Sequence, residues 1–168
     1  MWYAIQTISG SEEETVENIR KMVDREVCED CFLLKREAVW RIQGACRVHI
    51  ERLFPGYVFL DSDKLTQLYM DLKQVSGLTK LLKTGDEVIP LSKEEVGFLQ
   101  SFGGAEQVVV MSEGVIENSK VRVISGPLVG KEGFIKRIDR HKRKAFLEME
   151  MFGRVQKVQV GLEIISKI

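Results

Sequence analysis

The pattern of apolar residues changes at Gly103-Gly104, and this change limits the possible folds more than any other feature of the sequence. Before it, segments with strand-like alternation are interspersed with segments whose apolar residues recur at helical spacing. After it, a polar stretch leads into short strand-like segments separated by turn residues. The sequence therefore predicts an α+β layer fold at residues 1–104, a linker at 105–118 and a small all-β barrel at 119–168.

The first domain is predicted to run in the order β-α-β-β-β-α-(β)-α. Its helices begin at capping signals: Ser11 with Glu14, Asp63 before a helix that ends at Leu72, and Ser92 with Glu95. The predicted strands are Trp2 to Ile8, Phe32 to Trp40, Arg47 to Phe54 and Tyr57 to Leu60.

The second domain is predicted to consist of four or five short strands. They are Val121–Ser125, Gly133–Ile138, Ala145–Met151, Val155–Val160 and a short Ile164-Ile165.

Charge divides the chain at the same place. Residues 119–168 contain twelve Lys and Arg against five Asp and Glu, a net charge of +7 that leaves −7 on the rest of a formally neutral chain. A basic module suggests a polyanionic partner, and the acidic remainder suggests a different one.

Several classes of protein are disfavoured. Hydrophobic residues make up 44% of the chain, enough for a core, but no apolar run is long enough to span a bilayer. The first residues do not resemble a secretion signal, and three cysteines do not suggest a disulfide framework. His49 and His141 have no evident nucleophile nearby in sequence. We therefore expect a cytoplasmic protein that is not an enzyme, needs no cofactor and has no membrane partner.

A zinc site is the alternative that the cysteine spacing raises. Cys28-x-x-Cys31 and Cys46-x-x-His49 have the spacing of zinc-finger ligands. However, a hairpin turn at Gln43-Gly44 places Cys46 opposite Arg41 and about 30 Å from Cys31, too far to share a metal. We expect no metal site, and a redox-active Cys-x-x-Cys lacks the usual βαβ context.

The most specific motif covers residues 121–135, VRVISGPLVGKEGFI. Gly126-Pro127 is expected to turn the chain, and Gly130 and Gly133 are expected to permit positive φ or close backbone approach. A phosphate-binding P-loop requires four residues between its glycines and Ser or Thr after the lysine; here three residues intervene and Glu132 follows Lys131.

This stretch resembles a KOW motif, and residues 151–154 (MFGR) resemble the turn that KOW barrels carry in the NusG family. Two further segments resemble the N-terminal domain of the same family: residues 2–7 (WYAIQT) and 53–59 (LFPGYVF). Residues 138–151 resemble more narrowly the LoaP branch of specialised NusG paralogues. The resemblance implies a NusG-type α/β sandwich followed by an SH3-like KOW barrel, with a role in transcription elongation and antitermination.

The Phe-Pro-Gly-Tyr segment has two interpretations. Its aromatic rings fit a turn that packs into the core, with proline fixing φ and glycine relieving the bend. The resemblance implies an apolar patch that binds the clamp helices of RNA polymerase, with Phe54, Pro55 and Tyr57 as contacts.

The basic run also has two interpretations, a solvated face or a polyanion site. The resemblance to the LoaP branch implies that it recognises a hairpin in nascent leader RNA. The predicted RNA-binding residues are Lys136, Arg137, Arg140, His141, Lys142, Arg143 and Lys144, together with Lys120, Arg122 and Arg154. Non-template DNA is a further candidate partner, and we expect a monomer.

Two other functions stay open at this point. A housekeeping NusG-type factor uses its KOW barrel to bind Rho or the ribosome. Lys131 weakens an apolar interface of that kind, although Met151 and Phe152 are available to form one. A structural RNA-binding protein is also consistent with the barrel, but it leaves the Phe-Pro-Gly-Tyr segment without a role.

Overall fold

The structure is a computed structural model that describes residues 1–75, 78 and 88–168. Contacts group these residues into two compact units: unit 1 is Met1–Leu34 with Phe54–Val96, and unit 2 is Lys35–Leu53 with Gly97–Ile168. These contact-based units do not coincide with the domain boundaries expected from the sequence (1–104, 105–118 and 119–168). The expected domain boundaries stay a prediction. Within the described residues, no helix is long and apolar enough to cross a membrane.

The described elements are twelve strands, three α-helices and one short 3-10 helix. The helices are α1 (Glu12–Met22), α2 (Leu65–Leu72), α3 (Lys93–Gly103) and the 3-10 helix Glu132–Phe134. The first six strands are β1 (Trp2–Gln6), β2 (Asp30–Phe32), β3 (Lys35–Ile42), β4 (Ala45–Arg52), β5 (Tyr57–Asp61) and β6 (Val88–Pro90). The other six are β7 (Val108–Val109), β8 (Ser112–Glu117), β9 (Lys120–Ser125), β10 (Ile135–Asp139), β11 (Lys144–Met151) and β12 (Arg154–Lys167).

Unit 1 is built on an antiparallel sheet with the strand order β2-β5-β1-β6. One face carries Tyr3, Ile5, Val58 and Leu60, which form a buried cluster with apolar residues of α1 and α2. The other face carries aromatic side chains, including Trp2 packed edge-on against Phe32 at a centroid distance of 4.8 Å. Because both faces are buried, β1 and β5 are nearly continuous apolar runs instead of alternating ones.

The three described α-helices begin close to the predicted positions, but only one predicted cap is confirmed. Ser92 Oγ accepts a hydrogen bond from Glu95 N (3.1 Å), and Glu95 Oε1 accepts one from Ser92 N (2.9 Å). Ser11 makes no side-chain cap at α1, and Lys64, not Asp63, is the N-cap of α2. The Ser11–Glu14 and Asp63 predictions are therefore wrong.

In unit 2, β3 and β4 form a hairpin whose sheet has the order β4-β3-β7. Gln43 and Gly44 both have positive φ (52° and 79°), as a tight two-residue hairpin turn requires. The register places Arg41 opposite Cys46, as predicted. Cys31 pairs with Leu60 in the other sheet, and the described residues contain no group of three or more potential metal ligands.

The C-terminal strands form a five-stranded sheet with the order β10-β11-β12-β8-β9. β11 alternates strictly, with Ala145, Leu147, Met149 and Met151 buried and the intervening residues partly or fully exposed. The fold is thus α+β, with an N-terminal α/β part and a C-terminal β-rich part, as the sequence predicts.

β12 is one strand where the sequence predicts two. It pairs antiparallel with β11 through Gly161 and then parallel with β8 from Leu162 onward. Gly161 does not end the strand, and a Cβ there would collide with the flexible side chain of Met111, which would have to shift.

The segment predicted as a linker contains β7 and β8. Ser112 of β8 is fully buried, and its Oγ accepts a hydrogen bond from Leu128 N (3.0 Å). Gly114 allows β8 to approach β9, since a Cβ would lie 3.0 Å from Arg122 O. A buried serine and glycine replace the usual apolar residues, which hides this strand from sequence patterns.

Candidate nucleic-acid interface

The β10–β11 hairpin presents the basic residues that the sequence singles out. Asp139 pairs with Lys144, so the loop between them consists of residues 140–143; we call this loop the basic turn. Asp139 Oδ1 accepts a hydrogen bond from Lys142 N (2.9 Å), and Arg143 has a positive φ of 53°. The carboxylate therefore fixes the shape of a loop that is otherwise cationic.

The structure brings seven of the ten predicted RNA-binding residues together on this hairpin. The side chains of Lys136, Arg137, Arg140, His141 and Lys142 are exposed, and those of Arg143 and Lys144 are partly buried. Arg143 Nε lies 3.9 Å from Glu163 Oε1, a distance at which an exposed ion pair contributes little. Most of this positive charge is therefore available to a partner.

The ring of Phe146 forms cation–π contacts with Arg137 and Lys144. The guanidinium carbon of Arg137 lies 3.8 Å from the centroid of its ring, and Lys144 Nζ lies 5.3 Å from it. Lys144 Nζ also donates a hydrogen bond to Gln159 Oε1 (2.9 Å). Stacking of this kind reduces the side-chain freedom that would be lost on binding a phosphate.

The ionisable groups of the hairpin shift the pKa values of Lys144 and Asp139. Burial lowers the pKa of Lys144, and the positive charges of Lys142 and Arg36 lower it further. The pKa of Asp139 is lowered chiefly by the hydrogen bond from Lys142 N and then by the nearby Lys and Arg charges. A cation whose pKa is lowered by its neighbours is stabilised when an anion approaches.

The other three predicted RNA-binding residues lie elsewhere. Arg154 follows the β11–β12 turn, about 23 Å from Lys144 along an eight-residue strand. Lys120 and Arg122 are on β9, at the opposite end of the strand order from β10. Glu117 pairs with Arg122 (2.9 Å) and raises its pKa. These three residues do not extend the surface of the basic turn.

The Phe-Pro-Gly-Tyr segment is a turn whose two rings pack inward. Phe54 and Tyr57 are 3% and 6% exposed, whereas Pro55 is exposed. The Phe54 ring packs against Phe59 with centroids 5.8 Å apart, and Tyr57 Oη accepts a hydrogen bond from Gln6 Nε2 (3.2 Å). In this conformation both rings pack into the core, as the first of the two interpretations expects. Contact of this segment with polymerase stays a prediction.

Glu12 is a structural residue that the sequence does not reveal. It is fully buried, and its Oε2 accepts a hydrogen bond from Gly56 N (3.0 Å), while its Oε1 accepts one from Gly10 N. Gly56 O in turn accepts a hydrogen bond from Thr7 N (2.8 Å). In sequence, Glu12 is indistinguishable from Glu13 and Glu14, which suit the helix N-terminus equally well.

The backbone conformation of the KOW-like segment requires glycine at two of its three glycine positions. Gly126 and Gly130 have positive φ values of 96° and 77°, as expected. Gly133 has neither a positive φ nor a close neighbour, so that expectation is wrong.

Two features of this segment concern protein binding. Lys131 Nζ lies 5.6 Å from the centroid of Phe98, so the lysine lies over an aromatic ring. Met151 and Phe152 are buried at 7% and 2% exposure, so they are not available as the apolar contacts that the sequence suggests.

A second group of residues lies beside the basic turn and was missed by sequence reasoning. Arg36, Trp40 and Arg41 of β3 line a cleft of about 440 Å³ together with residues of the basic turn. The available signal was Trp40, an aromatic residue within a predicted strand of mixed polarity, and the structure leaves its side chain half exposed.

Comparison with known proteins connects both halves of the chain to one family. Residues 1–100 match the family model described as "Transcription termination factor nusG", and residues 117–159 match the KOW motif. The "Transcription termination/antitermination protein NusG" of Staphylococcus aureus, in strains Newman and COL, is 29% identical over 99% of this chain and 95% of the relative.

A solved structure gives the same assignment. The protein described under "Domain interaction in Thermotoga maritima NusG" superposes with a TM-score of 0.57 and 25% identity, covering 97% of this chain and 93% of that one. Since the family model alone matches more than half of the sequence, the chain belongs to the NusG family of transcription termination and antitermination factors and carries an N-terminal NusG domain and a C-terminal KOW motif.

Proposed function

We propose that this protein is a specialised antitermination factor of the LoaP type. In this proposal a cytoplasmic monomer binds the clamp helices of RNA polymerase through its N-terminal domain. Its basic turn recognises a hairpin in nascent leader RNA, and the bound factor promotes readthrough of terminators. It acts by binding alone, with no bond chemistry.

The observation that carries the proposal is the clustering of charge on one hairpin. Seven Lys, Arg and His residues flank or form a single four-residue turn, and five of them are exposed. Like charges at such density repel one another unless a polyanion neutralises them. A hairpin tip is also narrow enough to place arginine side chains on phosphates or on the edges of splayed bases.

The polymerase contact is proposed at the turn that Phe54, Pro55 and Tyr57 form. Pro55 is the exposed member, and the buried rings of Phe54 and Tyr57 hold the turn in place. Direct contact by either ring would require the turn to open. Glu12 fastens the same turn through Gly56, which favours a preformed surface over one that rearranges on binding.

Because two binding modules are linked in one chain, even weak RNA binding is enough to direct the factor to the polymerase that transcribes one operon. Once RNA holds the factor near the enzyme, the second contact becomes intramolecular and benefits from a high effective concentration. Non-template DNA near the polymerase is a further candidate ligand for the same cations, since phosphate contacts alone do not distinguish it from RNA.

In vitro transcription across a terminator tests the proposal, with and without the candidate leader. We expect readthrough that depends on the leader and is lost in Arg140→Ala/Lys142→Ala/Arg143→Ala. The matched control is Lys93→Ala/Lys157→Ala/Lys167→Ala, which removes the same charge from other exposed positions and should keep the activity. Circular dichroism establishes that both variants are folded.

Salt dependence provides a second test of the RNA contact. The logarithm of the RNA affinity should fall by about 0.7–0.9 for each tenfold rise in salt and each phosphate contact. A flat salt response, or readthrough that needs no leader, would contradict the leader-reading role.

One observation favours a housekeeping NusG-type factor as the second candidate. Ile124, Val129 and Phe134 belong to the KOW-like segment and are 42%, 49% and 37% exposed. Exposed apolar residues of this kind suit a protein partner, which in this reading is Rho or the ribosome. Leader-independent activity that is lost on substituting Val129 and Phe134 would support it. A pull-down that fails to recover polymerase would instead favour a structural RNA-binding protein.

A further inference from the structure

The cleft beside the basic turn has the size and composition of a ligand site. It measures about 440 Å³, within the usual range of small-molecule sites, and lies wholly within unit 2. One wall is the β3–β4 hairpin with Arg36, Trp40 and Arg41, and the other is the basic turn with Lys142, Arg143 and the adjoining Lys144.

Positive charge dominates the lining. Five Lys and Arg side chains face the cleft together with His141, and Glu51 is the single carboxylate among its lining residues. Glu51 forms an ion pair with Arg36, which leaves the remaining cations without an anion inside the cleft. This excess of positive charge favours an anionic ligand.

Trp40 adds an apolar surface to this cationic site. Its side chain is 50% exposed, although tryptophan is one of the residues that gain most from burial. The indole packs against the His49 ring at a centroid distance of 4.8 Å, which holds it in place. A rigid, half-exposed indole next to several cations is the combination that unpaired nucleotides bind.

Two polar atoms on the same face of the hairpin are buried without a partner. Among the described residues, Arg36 Nη1 and His49 Nε2 are the buried side-chain nitrogen or oxygen atoms that make no hydrogen bond. The register places Ala38 opposite His49, and Arg36 and Trp40 flank Ala38 on the same face of β3. A buried polar atom without a hydrogen bond is costly, and a ligand with polar edges would satisfy Arg36 Nη1, because Arg36 lines the cleft.

We propose that this cleft binds one unpaired nucleotide of the RNA that the basic turn recognises. The base stacks on Trp40, its phosphate lies against Lys142 and Arg143, and Arg36 hydrogen-bonds the base edge or the ribose. This inference rests on the proposed RNA-binding function and adds that the recognised hairpin carries a bulged or looped-out nucleotide beside its stem. A fully paired stem lacks a base that can enter the cleft.

The test uses the full chain and four nucleic-acid probes. They are a short RNA duplex with one bulged adenosine, the same duplex without the bulge, and the two corresponding DNA duplexes. The protein should bind the bulged RNA more tightly than the paired RNA by roughly 5- to 150-fold, the range expected for one base–aromatic stack.

Matched substitutions separate the cleft from the basic turn. Trp40→Ala should remove the preference for the bulge, whereas Trp40→Phe should largely keep it. Val48→Ala serves as the control, because Val48 is 57% exposed on the same hairpin and does not line the cleft. Quenching of tryptophan fluorescence by the bulged RNA should occur in the wild type and disappear in Trp40→Phe.

The possible failures differ from one another. If Trp40→Ala keeps the full preference while the triple substitution in the basic turn weakens both RNAs, the nucleotide site is wrong and the proposed function stands. If the triple substitution leaves both affinities unchanged, the proposed function is wrong. A bulged DNA that binds as tightly as the bulged RNA would overturn the assignment to RNA.

Discussion

The buried carboxylate of Glu12 accepts a hydrogen bond from the backbone N–H of Gly56, although the two residues are 44 positions apart. Gly56 has a φ of 86°, a conformation that suits glycine, and it lies in the turn between Phe54 and Tyr57. The start of helix α1 and the proposed polymerase-binding turn are therefore held together by one side chain.

Replacing Glu12 should destabilise unit 1. Glu12→Gln keeps the size of the side chain but exchanges one acceptor oxygen for a donor, so one buried N–H loses its partner. We expect a loss of about 1–3 kcal/mol in the free energy of unfolding, measured by urea titration. In a Trp40→Phe background the signal comes from Trp2 of unit 1 alone, since the chain has two tryptophans. Glu14→Gln, at an exposed position of the same helix turn, should have little effect.

The two predicted capping boxes should differ in their energetic contribution. Ser92→Ala removes an N-cap hydrogen bond at α3 and should cost about 0.5–2 kcal/mol. Ser11→Ala should cost much less, because Ser11 makes no such bond at α1. Urea unfolding of both variants checks the difference, and equal costs would mean that Ser11 caps α1 in solution.

Gly126 and Gly130 form a matched pair in the KOW-like segment. A Cβ at Gly126 would lie 2.6 Å from Ser112 Cα, whereas a Cβ at Gly130 has no neighbour within 4 Å. Gly126→Ala should therefore cost about 2–4 kcal/mol, from overlap and backbone strain together. Gly130→Ala should cost about 1 kcal/mol, from the positive φ alone. Thermal unfolding followed by circular dichroism measures both.

The three cysteines should react at very different rates. Burial raises the pKa of Cys28 to about 11 and raises the pKa of Cys31 further, so neither forms the reactive thiolate near neutral pH. Cys46 is exposed. A colorimetric thiol reagent should label one thiol quickly in the native protein and all three in denaturant. Rapid labelling of all three under native conditions would contradict the buried placement of Cys28 and Cys31.

Acid should loosen the basic turn at a pH below the usual titration range of aspartate. The folded pKa of Asp139 is depressed, so its stabilising hydrogen bond is fully present above the unfolded pKa of about 4 and is lost as pH falls through the lower folded value. The NMR shift of the Lys142 amide should follow that titration. Asp139→Asn should remove the titration, and a midpoint at or above the ordinary aspartate value would disprove the assignment.

Much of the fold could be predicted because local signals agreed with the packing. The β3–β4 register follows from the turn at Gln43-Gly44. Both turn residues have positive φ, a conformation that few other residue pairs adopt easily, so the sequence marks the turn and the turn sets the register. The basic turn was found because charge and strand alternation both mark it. β8 was missed because two of its three buried positions are Ser112 and Gly114, and the break predicted between Val160 and Ile164 is continuous strand instead.

The candidate site was harder to predict than the fold. Charge alone grouped Lys120, Arg122 and Arg154 with the basic turn, because composition carries no information about which strand ends lie together. Trp40 and Arg36 were overlooked for the opposite reason: they are distant in sequence from the basic run and meet it only through packing within unit 2. The roles of Phe54 and Tyr57 depend on which way each ring points, which the sequence does not specify.

The pairing of β3 with β7 has a consequence for synthesis. β3 bonds in parallel to Val108 and Val109, some seventy residues further along the chain. At about 5–20 residues per second, the ribosome completes the β3–β4 hairpin roughly 3–11 seconds before its partner strand exists. During that interval β3 lacks the backbone pairing at Lys35 and Arg36 that β7 later supplies. We therefore expect nascent chains stalled before Val108 to depend on chaperones and to aggregate more readily than the completed protein.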